Sequence, residues 1–110
     1  VFNANLKRGS MELLILSTLE HRARHGYEIG KLLEERSRGG LEFRVSTLYT
    51  ALYRMEKRGW ITGRWVEKAG ERRRCFYQLT SAGKKILASQ KKEWKAFSSM
   101  VDHVIGVSHA

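Results

Sequence analysis

The chain of 110 residues is long enough for one domain with a modest core. Its 21 Lys and Arg residues outnumber its 11 Asp and Glu residues, and the resulting net charge of +10 attracts polyanions, of which nucleic acid is the most common and an anionic membrane surface the second. A single cysteine excludes an internal disulfide and a cysteine-built metal site, while the lack of a secretory signal and of a run near ~20 apolar residues predicts a cytoplasmic protein with no membrane partner.

Two short helices with apolar inner faces are predicted first. The first covers residues 11–20, with Ser10 as its N-cap, and it is apolar on most sides, which indicates a core helix. The second covers residues 27–38 and ends at residues 39–40, because glycine adopts the left-handed conformation at low cost. Tyr27 is expected to pack in the core with its hydroxyl within reach of a phosphate.

The third predicted helix has two contrasting faces. Ser46 is expected to cap it and Gly59 to end it. One face repeats large apolar residues at i, i+4 and i+7, which indicates burial, whereas the opposite face carries only hydroxyls and cations. The inner face comprises Leu48, Leu52 and Met55, and the outer face comprises Thr47, Thr50, Arg54 and Lys57.

A β-hairpin is predicted next, because residues 61–66 and 74–79 alternate in character as strands do. The segment between them is polar and mostly basic. Trp60 and Trp65 are interpreted as packing residues. Cys75 is interpreted as a small buried hydrophobic residue, with a redox switch as the alternative.

The last predicted helix covers residues 82–104 and is capped by Thr80 or Ser81. Its large apolar residues recur at spacings of three, four and seven, as in a short coiled-coil seam. This stripe predicts a dimer interface. Its members are Leu87, Trp94, Phe97, Val101 and Val104.

The order of elements predicts a mostly α fold with a small β-hairpin, namely a winged helix-turn-helix plus a long C-terminal dimerisation helix. We divide the chain into a DNA-binding domain over residues 6–80 and the dimerisation helix over residues 81–106. In a helix-turn-helix the second helix of the motif enters the major groove, and here that is the third helix of the chain. A basic hairpin tip suits the phosphate backbone or the minor groove of double-stranded DNA. The predicted DNA-binding residues are Lys7, Arg8, Tyr27, Ser46, Thr47, Tyr49, Thr50, Tyr53, Arg54, Lys57, Lys68, Arg72, Arg73 and Arg74.

These patterns resemble those of PadR-type transcriptional regulators, in the compact subfamily with one helix after the wing. The resemblance covers about residues 6–104 and departs from the family at Ser46 and Thr50, where the family often has Gly and Pro. The matching motifs are Leu-Leu-Ile-Leu at 13–16, His-Gly-Tyr-Glu-Ile at 25–29, Thr-Leu-Tyr at 47–49, the Arg run at 72–74, Tyr-Gln-Leu-Thr at 77–80 and Ala-Gly at 82–83, together with Leu52, Met55, Glu56, Gly59 and Trp65.

The resemblance implies a homodimer, usually a repressor, that binds a pseudo-palindromic promoter site and dimerises through its C-terminal helices. It also implies that a small aromatic or cationic effector releases the DNA. Trp94 matches the position at which multidrug-binding relatives stack a flat ligand between the subunits. A plain aromatic residue of the dimer core is the alternative for Trp94.

Other functional classes have less support in the sequence. No Gly-rich phosphate loop, nucleophile elbow or metal-ligand cluster is present, so we expect no catalytic residue, no cofactor and no metal. A winged helix can also serve as a protein-interaction module in a larger assembly, and this is the alternative function. Such a module would present an apolar outer face on its third helix, and this chain presents a polar and basic one.

Overall fold

The computed structural model describes the backbone of residues 4–107 and the side chains of residues 10–107. This part of the chain contains four helices and one three-stranded antiparallel sheet, which confirms the predicted fold class. The elements are α1 (Ala4–Thr18), β1 (Arg24–His25), α2 (Gly26–Arg36), α3 (Val45–Lys57), β2 (Ile61–Val66), β3 (Arg74–Leu79) and α4 (Ser81–Ile105).

The core lies where the first three helices meet. α1 contributes Ile15 and Leu16, α2 contributes Ile29, and α3 contributes Leu52 and Met55, all with no exposed surface. Each such side chain stabilises the fold by about 1.5–3 kcal/mol through the apolar surface it removes from water. The inner face predicted for α3 is therefore confirmed, and its burial fixes the opposite face toward solvent.

The caps predicted at Ser10 and Ser46 are wrong. α1 begins at Ala4, so Ser10 lies inside the helix and does not cap it. A helix can continue through a Gly-Ser pair because the glycine costs only about 1 kcal/mol. The N-cap of α3 is Arg44, whose side chain makes no capping hydrogen bond. Ser46 lies in the first turn, where its carbonyl accepts a hydrogen bond of 2.7 Å from Oγ1 of Thr50. Burial of the inner face stabilises α3 in place of a side-chain cap.

α2 is shorter than predicted and begins with a capping box. Nδ1 of His25 accepts from the backbone N–H of Glu28 over 3.3 Å, and Oε1 of Glu28 accepts from the backbone N–H of His25 over 3.4 Å. At the other end Ser37 caps the helix, and Arg38 and Gly39 both have positive φ. The prediction of a glycine in the left-handed conformation after the helix is confirmed at Gly39. The helix itself ends earlier, at Arg36.

The sheet contains one strand that the sequence did not predict. β1 pairs antiparallel with β3, so that Arg24 lies opposite Tyr77 and His25 opposite Phe76. β3 lies in the centre and pairs on its other side with β2, which gives the strand order β1-β3-β2. The hairpin itself is as predicted. β1 attaches the hairpin to the start of α2.

The last helix packs on the winged helix with its first turns. Thr80, one of the two predicted candidates, caps it by accepting from the N–H of Gly83 over 3.0 Å. Leu87 is buried in the core, and Lys91 pairs with Glu20 after α1 over 2.7 Å. Between residues 4 and 107, no helix has both the length and the apolar character needed to cross a membrane.

Substitutions of two helical glycines should have opposite effects on stability. A Cβ on Gly83 would overlap the backbone carbonyl of Trp60, whereas a Cβ on Gly30 would meet only the end of Leu48 at 3.5 Å. We expect Gly83→Ala to lower the free energy of unfolding by at least about 2 kcal/mol. Gly30→Ala should raise it by about 0.5–1 kcal/mol, because alanine favours the helix. Urea unfolding followed by circular dichroism measures both, and equal values for the two variants would contradict the packing of α4 on Trp60.

Candidate nucleic-acid interface

The outer face of α3 is exposed along its whole length. Thr47, Thr50, Arg54 and Lys57 all lie on the solvent side of the helix, opposite the buried stripe. Small hydroxyl residues stand at its beginning and long cations toward its end. A surface of this kind allows the helix backbone to approach a polyanion closely while the cations reach outward.

Two tyrosines broaden the exposed face of α3. Tyr49 and Tyr53 are 43% and 60% exposed, which is high for aromatic residues. Nζ of Lys57 lies 5.3 Å from the ring centroid of Tyr53. The phenol of Tyr49 lies across the start of α2, where a Cβ on Gly26 would overlap it. Gly26 therefore permits the close contact between α2 and α3.

The wing is basic at its tip, and its aromatic residue is exposed. Trp65, which was interpreted as a packing residue, is 59% exposed, so the protein core does not cover it. No further layer covers this side of the hairpin in the described part of the chain. The guanidinium of Arg73 lies 4.6 Å from the Trp65 ring centroid, a cation–π contact that holds this arginine along the wing. Lys68, Arg72 and Arg74 are exposed beside it.

Tyr27 also differs from its predicted environment. It is 67% exposed rather than packed in the core, because Ile29 is the residue of the first turn of α2 that turns inward. Its ring stacks on that of His25, with 6.4 Å between the centroids. The hydroxyl of Tyr27 is therefore available on the same side of the molecule as the wing.

The carboxylate of Glu56 connects α3 to the wing. Oε2 of Glu56 accepts from the backbone N–H of Gly63 over 3.1 Å, which ties α3 to β2. Tyr77 lies beneath this contact, and burial, reinforced by Cys75 and Glu56, raises the pKa of its phenol far above the ordinary value. The phenol is therefore neutral. Cys75 itself is only half-buried.

His25 lies between α2 and the wing, and it was absent from the predicted site. Its Nε2 is 2.8 Å from Nη1 of Arg74. Burial lowers the pKa of His25; Glu28 opposes this shift, while Arg74 and Arg22 add to it. For Glu28 burial acts to raise the pKa, but the hydrogen bonds from Arg22 and His25 bring it below its ordinary value. Glu28 follows His25 by three residues, which is the N-cap to N3 spacing of a capping box. This spacing in the sequence could have identified the pair.

Two sets of predicted residues lie elsewhere. The side chains of Lys7 and Arg8 lie outside the described residues. Of the predicted dimer residues, Leu87 is only 3% exposed and belongs to the hydrophobic core of the chain itself. Val101 is half-buried. Trp94, Phe97 and Val104 are exposed.

The polar face of α3 and the basic wing lie on the same winged helix, which is the arrangement of a winged-helix DNA-binding fold. The chain belongs to the transcriptional regulator PadR-like family, whose model matches residues 15–89. This membership makes the protein a transcription regulator, and the family is not one of enzymes.

Three solved structures illustrate the likeness. A transcriptional regulator from Clostridium thermocellum is 29% identical with a TM-score of 0.85, over 94% of this chain and 97% of that chain. A PadR family transcription regulator from Clostridium difficile is 33% identical with a TM-score of 0.78, over 88% and 99% of the two chains. Bacillus subtilis PadR in complex with operator DNA is 25% identical with a TM-score of 0.66, over 73% and 45%.

Proposed function

We propose that this chain is a homodimeric repressor that binds a pseudo-palindromic promoter site and is released by a small aromatic or cationic effector. The observation that carries the proposal is the contrast between two exposed surfaces. The outer face of α3 and the wing are polar and basic, whereas the second half of α4 carries a stripe of exposed large apolar residues. The operator-DNA complex of the similar Bacillus subtilis PadR supports the DNA-binding part.

Each α3 would occupy the major groove of one half-site. Thr47 presents a free hydroxyl at the start of the helix, whereas the hydroxyl of Thr50 donates to the carbonyl of Ser46 and so would act toward a base as an acceptor. Arg54 and Lys57 reach a phosphate or a guanine edge.

Phosphate contacts would come from the residues around α3. Tyrosine hydroxyls and the cations of the wing donate to phosphate oxygens and add affinity without sequence information. The proposed phosphate contacts are Lys7, Arg8, Tyr27, Tyr49, Tyr53, Lys68, Arg72, Arg73 and Arg74.

The alternative of a protein-interaction module is less favoured. A protein partner would be bound by an apolar outer face on α3, and the exposed side chains there are hydroxyls, cations and tyrosines. A symmetric DNA motif recovered by selection would separate the two functions.

The dimer would form along the second half of α4. Trp94, Phe97 and Met100 are about half exposed, and Val104 and Ile105 are more so. These residues recur with helical spacing, so they form one continuous apolar surface of the kind that marks an interface. The interface would begin after Leu87, because this leucine is used in the protomer core.

An effector would bind beside Trp94, between the subunits. The rings of Trp94 and Phe97 have centroids 6.4 Å apart and are tilted by 40°, and they line a groove between α1 and α4. Glu12 and Glu93 also line this groove, and because Glu12 is paired with Arg58 over 2.7 Å, Glu93 is the carboxylate that favours a cationic aromatic ligand. Release of DNA requires that the ligand bind the two dimer geometries with different affinity.

Binding-site selection from random duplexes tests the proposed function. We expect a two-fold-symmetric motif with half-sites about 10 base pairs apart, and a log–log salt slope of roughly −7 for about 8 phosphate contacts. In the same selection Arg54→Ala should bind more weakly, with altered base preference if Arg54 reads a base edge. Lys92→Ala, which removes one charge from an exposed position on α4, is the matched control. A selected pool without a symmetric motif would contradict the proposal.

The oligomeric state depends on the exposed face of α4. We expect Phe97→Glu to convert the dimer into a monomer, because the dimer would bury this carboxylate without a partner. Ala88→Glu is the control, since at about 3.6 residues per turn Ala88 lies on the opposite side of α4. Sedimentation equilibrium measures both variants, with circular dichroism as the test of folding. A wild-type monomer, or a dimer that persists in Phe97→Glu, would remove α4 from the interface.

Effector binding can be followed through the tryptophans. A panel of flat aromatic compounds, cationic and neutral, is titrated into wild type, Trp94→Phe and Trp65→Phe. We expect the fluorescence response to persist in Trp65→Phe and to be lost in Trp94→Phe, because phenylalanine keeps the apolar surface but offers a smaller stacking face. Equal responses in the two variants would exclude Trp94 from the site.

A further inference from the structure

A cleft of about 390 Å³ opens where the start of α2, α3 and the wing meet. The rings of Tyr27, Tyr49 and Trp65 line it, together with His25 and the arginines at 72–74. Its lining carries hydrogen-bond donors and positive charge and no carboxylate. This chemistry suits a small anion.

The hydrogen bonds of His25 are incompatible with one another in the absence of an anion. Its Nδ1 accepts from the N–H of Glu28, so the neutral ring carries its proton on Nε2. Yet Nε2 lies 2.8 Å from Nη1 of Arg74, which is also a donor. If the proton moves to Nδ1, the contact with Arg74 becomes a hydrogen bond, but the cap of α2 is lost. One of the two contacts is therefore unsatisfied in either tautomer.

The charges around His25 leave a positive excess. Glu28 on α2 is 3.4 Å from Nε2, but its carboxylate already pairs with Arg22 over 2.6 Å and lies 3.7 Å from Arg24. Arg74, on β3, has no carboxylate partner among the described residues. An acceptor bearing negative charge would satisfy both Nε2–H and the guanidinium.

We propose that this cleft holds one backbone phosphate of DNA, with an oxygen that accepts from both Nε2–H of His25 and the guanidinium of Arg74. The inference rests on the proposed function and extends it to a residue outside the predicted interface. The phosphate fixes the tautomer in which Nδ1 caps α2, so DNA binding and the cap reinforce each other. Tyr27 and Tyr49 also line the cleft, and their hydroxyls would donate to the remaining phosphate oxygens.

Two substitutions of His25 separate phosphate binding from capping. Asn and Asp are both strong N-caps, so His25→Asn and His25→Asp keep the start of α2. Asn is too short to reach the phosphate. The carboxylate of Asp would pair with Arg74 and repel the phosphate. With a mixed-sequence duplex of about 20 base pairs, we expect affinity to fall roughly tenfold for His25→Asn and further for His25→Asp. If His25 serves only as a cap, His25→Asn will bind as tightly as wild type and only His25→Asp, which adds a negative charge beside Arg74, will bind more weakly; this outcome would overturn the proposal.

Substitution of Arg74 gives an independent measurement. Arg74→Ala should weaken binding to the same duplex and reduce the salt slope by about 1 per subunit, whereas the surface variant Lys92→Ala should change neither. An unchanged slope in Arg74→Ala would overturn the assignment. A mixed-sequence duplex needs no operator, so the cleft can be supported even when selection finds no symmetric motif. Conversely, a symmetric motif with unaltered binding by these variants removes the cleft and the assignment of Arg74 as a phosphate contact, and leaves the rest of the proposed function standing.

The tautomer of His25 can be observed directly. Nitrogen-15 spectra of the imidazoles are recorded during titration with inorganic phosphate and then with the duplex. We expect His25 to adopt the Nε2–H tautomer alone, with His21 and His103 as internal controls that do not follow it. If the resonances of His25 stay unchanged, or shift only together with those of the two controls, no phosphate binds in the cleft.

Discussion

The burial of the inner face of α3 is the constraint on which the rest of the structure depends. Leu52 and Met55 have no exposed surface, and they hold α3 against α1 and α2 with a well-packed contact. Since a helix has only one side opposite its buried stripe, this packing determines which residues face outward. The face of hydroxyls and cations is available as the proposed surface for DNA only because the other side is held by the core.

The position of the wing relative to α3 depends on two small polar contacts. The carboxylate of Glu56 holds the backbone of Gly63, and the pairing of β1 with β3 attaches the wing to the start of α2. A two-stranded hairpin alone is marginally stable in water, so these attachments matter for its orientation. They place the arginines of the wing beside the tyrosines of α2 and α3, and these side chains together form the cleft at His25.

The parts of this arrangement that follow from periodicity could be predicted from the sequence. The two faces of α3, the hairpin and the cap at Thr80 are examples, because each depends on local spacing. Local spacing does not say what covers a side chain, and both Tyr27, expected in the core, and Trp65, interpreted as a packing residue, are exposed. β1 has two residues, too few for any alternation, and it is a strand only through its pairing with β3. The contact of His25 with Arg74 joins residues far apart in the chain, and no local pattern predicts it.

The connection between α3 and α4 explains how an event at the proposed dimer interface could reach the DNA. Thr80 donates through its N–H to the carbonyl of Trp60 over 3.1 Å and through Oγ1 to that of Gly59 over 2.6 Å. Gly83 lies directly against Trp60, so the first turn of α4 is fixed to the end of α3. The division of the chain at residues 80 and 81 stays a prediction, and these contacts argue that the start of α4 moves with the winged helix. A change in the angle between two α4 helices would then change the separation of the two α3 helices, without any rearrangement inside the protomer.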